Sequence, residues 1–429
     1  MRTQFLKIHD QFDILRNMVR ISLIYRLFIL LLFTSVLLVS CSEDDPILQE
    51  EDQQQMDPMD DDPMDDPMDD PMDSDTQSDI NQVDSAIESF MQEYSVPGAA
   101  LAVSVNGNMV YSKGYGFSNI EENTPTRADD VFRLASVTKV ITSAAIFNLV
   151  DQNIIALDDK VFGPDGILGD DFGTATLTQD HMNISVINLL QFELGGWGTF
   201  DGQDPIDSFP DFEFREFMEF VFNQRPLTSG PGETHAYTNM AQWLCARVIE
   251  EVTGQSFQDY VNSILVPAGI TSFKTTNFSR DDRASNEVEY YDEQEMPFIY
   301  TITPRRDGDA GGVMSAPDVL RFLNAIDGYS SRPDIISQNA HEVLTTPSRF
   351  NEFWGAGLAP WPAQNLLWMN GSLPGNRSWI MVGDNQINAV ILLNANQRSI
   401  DQFSFDFQDV MLFIVNNNSI PWQTDLDQF

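Results

Sequence analysis

Two apolar, β-prone runs, Ala99 to Val105 and Met109 to Gly116, are joined by Asn106-Gly107. Asn-Gly supplies the positive backbone angles of a tight hairpin, so this stretch is expected as two antiparallel strands. The pattern returns near the other end of the chain: Ser378 to Val382, a Gly383-Asp384-Asn385 turn, then Ile387 to Asn394. Helical spacing flanks both, from Val83 to Tyr94 with Ile87, Phe90 and Met91 on one side, and from Gln402 to Val415. Between the hairpins, roughly 137 to 325 reads as mostly helical, with loops rich in Gly, Pro and Asp. The expectation is an α+β fold over residues 80–429. Its antiparallel sheet is built from both chain ends and flanked by helices, with a mainly helical region inserted.

The chain ahead of residue 80 is different in kind. Residues 27–39 form an apolar run of 13 residues behind Arg20 and Arg26, short for a membrane span and suited to a signal peptide. The run ends in Leu38-Val39-Ser40-Cys41, which resembles a bacterial lipobox; the resemblance implies a signal peptide over 1–40 and acylation of Cys41. Met18 is a more usual start for such a signal, which makes residues 1–17 an extension. Residues 41–79 are rich in Asp, Met, Pro and Gln, lack Lys and Arg, and include a repeated Met-Asp-Asp-Pro. Like charges repel and proline blocks helix, so this segment is expected to be an extended tether. Ser42-Glu43-Asp44-Asp45 resembles the acidic export signal of surface lipoproteins in Bacteroidetes-like bacteria. The expected location is the cell envelope of a Gram-negative bacterium, lipid-anchored at the outer membrane or cell surface, with the membrane as a partner. A net charge of −42 argues against a nucleic-acid partner.

The chemistry begins at Ser136-Val137-Thr138-Lys139, which opens a segment with apolar residues at Val140, Ile141, Ala144, Ala145, Phe147, Leu149 and Val150. On a helix, Ser136 and Lys139 share a face at the positive end of the helix dipole. A serine hydroxyl is a poor nucleophile until a neighbouring base removes its proton, and a desolvated lysine is such a base. Chance pairing on a solvated helix is the competing explanation, but no other lysine of the chain has serine three residues before it. A second constellation is Tyr237-Thr238-Asn239, ahead of a helix running to Val252 with Gly254 as its stop. Beside an ammonium, a tyrosine phenol acts as a proton shuttle. Taken alone, the pair reads rather as a tyrosine anchoring a turn with Asn239 as a helix N-cap.

The order settles the choice. Ser-x-x-Lys opens a helix, Tyr-x-Asn follows roughly one hundred residues later, and Gly371-Ser372-Leu373-Pro374-Gly375 precedes the C-terminal hairpin. Val96-Pro97-Gly98-Ala99-Ala100 leads into the first strand, and Asp309-Ala310-Gly311-Gly312-Val313-Met314-Ser315, followed by Asp318, supplies a Gly-Gly segment. Together these resemble the serine hydrolases of the class C β-lactamase and penicillin-binding-protein family, which includes family VIII esterases and D-stereospecific peptidases. The resemblance covers about residues 80 to 425 and implies an α/β sandwich of the β-lactamase/transpeptidase type. It implies Ser136 as acyl-accepting nucleophile, Lys139 as its base or tuning group, and Tyr237 as the shuttle to the leaving group. Asn239 would orient Lys139 and the substrate, while the backbone N–H groups of Ser136 and Ser372, next to Gly371 on an edge strand, would form the oxyanion hole.

The sequence departs from the family in two places. Where relatives carry Lys-Thr-Gly or His-x-Gly, this chain has Met369-Asn370-Gly371, and no lysine follows Lys274. A cation there normally binds a substrate carboxylate, so an uncharged ester or amide, D-peptide-like among the candidates, is expected instead, with Arg377 the nearest substitute cation. Where relatives read His-Thr-Ser-Gly, this chain has Phe192-Glu193-Leu194-Gly195-Gly196-Trp197, a loop expected to support the site. A catalytically impaired binding protein on the same fold is the alternative. His181, His235 and His341 are scattered singly and Cys245 sits in an apolar stretch, so neither a catalytic metal nor a cofactor is expected.

Overall fold

Both hairpins form, and they interlock. In this computed structural model, which describes residues 79–275, 283–291, 304–397, 399–423 and 426, the first is β1 (Gly98–Val105) with β2 (Asn108–Asn119). Asn106 and Gly107 both take positive φ, 53° and 75°, as the tight turn requires. Short strands β3 (Thr124–Pro125), β4 (Val131–Arg133), β5 (Lys274–Thr275) and β6 (Gly312–Ser315) follow. The chain then forms β7 (Ala359–Trp361), β8 (Leu366–Leu373), β9 (Asn376–Gly383) and β10 (Ile387–Leu393). The main sheet is antiparallel in the order β3-β2-β1-β10-β9-β8-β7, so the first and last hairpins meet at its centre. Register runs from Ala99 opposite Leu393 to Val105 opposite Ile387. A separate three-stranded sheet, β4-β6-β5, was not legible because its strands are two to four residues long.

Helices cover both faces of the main sheet. On one face lie the terminal helices Asn81–Glu93 and Asp401–Asn416, joined through the rings of Phe90, Phe403 and Phe407. The other face carries the larger core and the inserted region, including helices Thr138–Asp151, Asn239–Thr253 and Ala316–Asn324. Thr138–Asp151 is buried nearly all round, which is why its sequence shows no polar stripe. Central strands β1 and β10 are buried on both faces and read as apolar runs for the same reason. The inserted region contains less helix than expected: 152–178 and 191–213 are largely turns, in keeping with the glycine, proline and aspartate clusters already evident in sequence. The signal segment and all of the tether before residue 79 lie outside the described residues.

A buried polar link joins the inserted region to the sheet. Asn388 of β10 donates to Asn324 Oδ1 at 2.9 Å and to Asp327 Oδ2 at 2.8 Å. Burial pushes the Asp327 carboxyl up to about 6, and burial together with the charge of Asp327 pushes Asp334 up to about 7. In the unfolded chain both ionise near pH 4. The stability they contribute is therefore complete below about pH 4 and is lost as pH rises through about 6 to 7. Asp334→Asn is expected to stabilise the fold at pH 8 by about 1 kcal/mol, after allowance for solvent screening, and to change nothing at pH 4. Urea unfolding at the two pH values checks this.

Candidate active site

Ser136 sits in a single 3₁₀ turn, Ala135–Val137, that runs directly into helix Thr138–Asp151. Ala135 just before it takes φ of 48°, a left-handed conformation that costs a β-carbon-bearing residue about 1 kcal/mol or more. The turn is held from outside. Leu134 receives the Ser378 hydroxyl on its carbonyl at 2.6 Å and donates its N–H to Gly312 O at 2.8 Å. Asn376 Nδ2 donates to Arg133 O at 2.8 Å. As part of the first helical turn, the Ser136 N–H has no carbonyl behind it to bond.

Lys139 lies one turn on and is 1% exposed. Its ammonium donates to Ser136 Oγ at 3.1 Å, Asn239 Oδ1 at 2.8 Å and the Asp309 carbonyl at 2.9 Å. Three donors meet three acceptors, which is what a buried lysine requires. The Asp309 carboxylate stands 3.6 Å from Nζ and is gripped by Arg306 through both oxygens. Burial opposes the charge on Arg306, but the carboxylates of Asp309 and Asp207 outweigh it and hold the guanidinium well above its ordinary value. Tyr237 closes the group: its hydroxyl donates to Ser136 Oγ at 3.0 Å, and its ring centroid lies 5.1 Å from Lys139 Nζ.

Four elements deliver these groups. Thr238 is the N-cap of helix Asn239–Thr253, and Asn239, at the first helical position, turns its side chain onto Lys139; the N-cap assignment for Asn239 is thus off by one residue. The Gly-Gly segment docks beside helix Thr138–Asp151, with Gly312 N–H donating to Thr138 Oγ1 at 3.1 Å and Thr142 Oγ1 to Gly308 O at 2.6 Å. That contact places Asp309. Strand β8 brings Gly371 against the Ser136 turn. A Cβ at Gly371 would run into the Leu134 carbonyl and the Ser378 hydroxyl and stand 2.9 Å from Ala135 Cβ.

Ser372 lies on the penultimate strand rather than the edge strand, since β7 pairs beyond β8. The difference is small, because β7 covers only Leu366 to Trp368, leaving Met369 to Leu373 without a strand partner on that side among the described residues. In the hairpin closed at Leu373 and Asn376, alternation turns the backbone N–H groups of Asn370 and Ser372 away from β9, toward that open edge. The Ser372 side chain is elsewhere, accepting from Asn396 Nδ2 at 2.9 Å.

Over the group opens a cleft of about 590 Å³ lined by Ser136, Tyr237, Asn239, Trp368 and Ser372 among others. Met369 pairs with Ile380 and is buried in the core, so the third-motif position carries no charge. Arg377 reaches the rim of the cleft from the register position opposite Ser372, with Nη2 3.3 Å from Ser404 Oγ. Arg306, the other guanidinium lining the cleft, is committed to Asp309 and Asp207. Part of the remaining wall is aromatic. Trp354 and Phe200 stand 5.1 and 5.4 Å from the Tyr237 ring, the buried Phe192 ring packs 4.8 Å from it, and Phe200 is 86% exposed. The Phe192 loop supports the site as expected: Phe192 O accepts from Ala236 N at 2.8 Å, and Glu193 accepts the Ser348 hydroxyl at 2.5 Å.

The histidines stand apart from Ser136. His181 caps a short helix, His341 Nδ1 meets Ile326 O at 2.9 Å, and His235 lies in a side pocket with Asn351 3.4 Å away. Burial lowers His181 and His235 below the usual imidazole range and raises the fully buried Cys245 thiol far above its own. Sequence reasoning missed Thr199, Phe200, Asp204, Arg306 and Trp354 as parts of the site and quoted Asp309 only as part of a segment. The glycine pair beside Asp309 was the one available signal, since it marks a close backbone approach.

The fold and this constellation define a class, and comparison with known proteins agrees. The chain matches the family model described as beta-lactamase over residues 83–406, and it belongs to that family. It is 25% identical over 330 residues to protein flp of Staphylococcus aureus (strain NCTC 8325 / PS 47), covering 73% of this chain and 63% of that protein. Identity to a D-aminopeptidase of Gluconobacter oxydans (strain 621H) is also 25% over 330 residues, covering 73% of this chain and 58% of that protein. The chain thus spans less than two thirds of the length of these curated relatives. Among solved structures, the octameric penicillin-binding protein homologue from Pyrococcus abyssi superposes with a TM-score of 0.60 at 24% identity, covering 80% of each chain. The D-amino acid amidase from Ochrobactrum anthropi SV3, complexed with L-phenylalanine amide, superposes with a TM-score of 0.64 at 19% identity, covering 79% of this chain and all of that one.

The close approach at Gly371 gives a direct test of the site's geometry. Gly371→Ala is expected to displace β8 from the Ser136 turn and cut Ser136-dependent labelling by about 100-fold, since small misplacements at a reacting centre cost that much. Thermal unfolding should show a stability loss of only about 1–3 kcal/mol.

Proposed function

We propose that this chain is a serine hydrolase that forms an acyl-enzyme on Ser136, acting on an uncharged ester or amide, D-peptide-like substrates included. The observation that carries the reading is the convergence of Lys139 Nζ and Tyr237 Oη on Ser136 Oγ, at 3.1 and 3.0 Å. Lys139 in its neutral form takes the Ser136 proton as Oγ attacks the carbonyl carbon. Charge developing on the carbonyl oxygen meets the N–H groups of Ser136 and Ser372, each worth on the order of 3 kcal/mol to the transition state in comparable oxyanion holes. Tyr237 passes a proton to the departing group, and water then releases the acyl group by the same path reversed. Asn239 and Asp309 hold Lys139 in place throughout.

Substrate class follows from the cleft's charges. With Met369 buried and Arg306 committed to two carboxylates, a substrate carboxylate would find little to bind at the third-motif position. The aromatic wall of Phe200, Tyr237 and Trp354 favours an apolar group instead. That same missing cation favours the second reading, an impaired binding protein that retains the fold. The proposed setting is the cell envelope, with the domain held off the membrane by the acidic tether and a lipid on Cys41. A Cys41→Ser variant is expected to move from the membrane fraction to the soluble fraction and to lose incorporation of labelled palmitate.

Intact-mass measurement separates the two functional readings. Wild-type chain treated with a fluorophosphonate is expected to gain one adduct that Ser136→Ala lacks, whereas penicillin should add little. Equal labelling by penicillin would assign the carboxylate-binding role to Arg377 or another group. A folded protein that takes neither reagent would favour the binding protein.

A further inference from the structure

Lys139 can act as a base toward Ser136 only if, once neutral, its lone pair faces Ser136. We infer that Thr199 and Asp204 are positioning residues that aim this lone pair by fixing which way the Asn239 amide points. The inference rests on the hydrolase reading above and extends it beyond the motif residues.

Asp204 Oδ2 accepts from Asn239 N at 2.7 Å and from the Thr199 hydroxyl at 2.6 Å. Its Oδ1 accepts from Ile206 N at 3.1 Å. Burial raises the Asp204 carboxyl above its ordinary value, and the three donors, Thr199 first among them, pull it back down. In its ionised form it is acceptor-only, which commits the Thr199 hydroxyl proton to it. The Thr199 oxygen then has only lone pairs left to offer. Facing them, at 3.3 Å, is Asn239 Nδ2. The amide must therefore present its NH2 to Thr199 and its carbonyl to Lys139. Thr199 is itself tied to the neighbouring motif, donating its backbone N–H to Tyr237 O at 2.8 Å.

The consequence lies at Lys139. Of its three hydrogen-bond neighbours, Asn239 Oδ1 and the Asp309 carbonyl can only accept, whereas Ser136 Oγ can accept or donate. A charged lysine satisfies all three. A neutral lysine has two N–H groups, which go to the two acceptor-only partners, and a lone pair with Ser136 left to face. A charged lysine would hold the amide carbonyl without help, but a neutral one would accept equally well from an overturned NH2. Thr199 and Asp204 hold the amide through the moment of proton transfer. The other charged and titratable groups around Nζ do not select between the two amide orientations. They are the Asp309 carboxylate at 3.6 Å, Arg306 and Asp207 beyond it, and Tyr237.

The test is the rate of Ser136 modification by a fluorophosphonate on the full chain, followed from about pH 6 to about pH 10. Thr199→Val keeps the side-chain shape and removes the hydroxyl. It is expected to lower the limiting rate about tenfold and to move the acid limb to lower pH, because an N–H turned toward the amine favours its neutral form. Thr199→Ser retains the hydroxyl and should stay within about twofold of wild type. An Asn239→Asp background gives a second measurement, since a carboxylate accepts on either oxygen and Thr199→Val should then shift the profile no further. A Thr199→Val variant with the wild-type rate and profile overturns the inference. So does equal slowing by Val and Ser with an unshifted profile, or a full additional loss from Thr199→Val when Asn239→Asp is already present. Absence of a Ser136 adduct in the wild type is a different failure, because it overturns the hydrolase reading and this inference with it.

Discussion

A lysine ammonium 1% exposed to solvent is the interaction on which the site depends. Burying a cation costs several kcal/mol unless each of its donors finds an acceptor, so the surroundings of Lys139 are constrained before any chemistry is considered. Three separate stretches meet that requirement: the turn at Ser136, the helix that starts at Asn239 and the glycine-rich loop carrying Asp309. Arg306 and Asp207 continue the compensation outward, alternating positive and negative charge to the rim of the cleft. Loss of any one acceptor leaves a buried charge uncompensated, which couples the fold's stability to the arrangement proposed for catalysis.

The parts legible in sequence were those with a period, a turn signature or a fixed spacing. Asn106-Gly107 located the first hairpin because few other dipeptides accept two positive φ values, and Ser136 with Lys139 located the Ser136 turn through helical spacing. Thr199 and Asp204 escaped because they lie in an irregular loop, where neither period nor turn type marks a residue. Arg306 escaped for another reason: pairing across about a hundred residues with Asp207 has no local signature. Trp354 and Phe200 belong to different loops and meet only through Tyr237. Met369, by contrast, was read correctly as the loss of a charge, and the structure adds that the side chain has joined the core.

The formal charges running from Lys139 through Asp309 and Arg306 to Asp207 alternate in place, while the cleft's apolar surface remains open. Phe200 illustrates the second half, an aromatic ring 86% exposed that rests on Tyr237 rather than in a core. An exposed ring in a cleft contributes little to folding and gains its contacts when something apolar covers it. The neighbouring side pocket, of about 390 Å³, shares Phe200, Tyr237 and Trp354 with the main cleft, so the ring also divides the two spaces.

The pairing of β1 with β10 joins Ala99 to Leu393 at the centre of the sheet. Almost the whole domain therefore lies between two strands that must find one another, and chain closure over such a span is slow compared with local hairpin formation. Until the last hairpin has been synthesised, β1 keeps one bare, largely apolar edge. A growing chain can assemble its inserted helices early, but the sheet waits for β10. During that interval the exposed edge is the molecule's main liability to self-association, and a chaperone that shields extended apolar segments is the kind of helper the topology calls for.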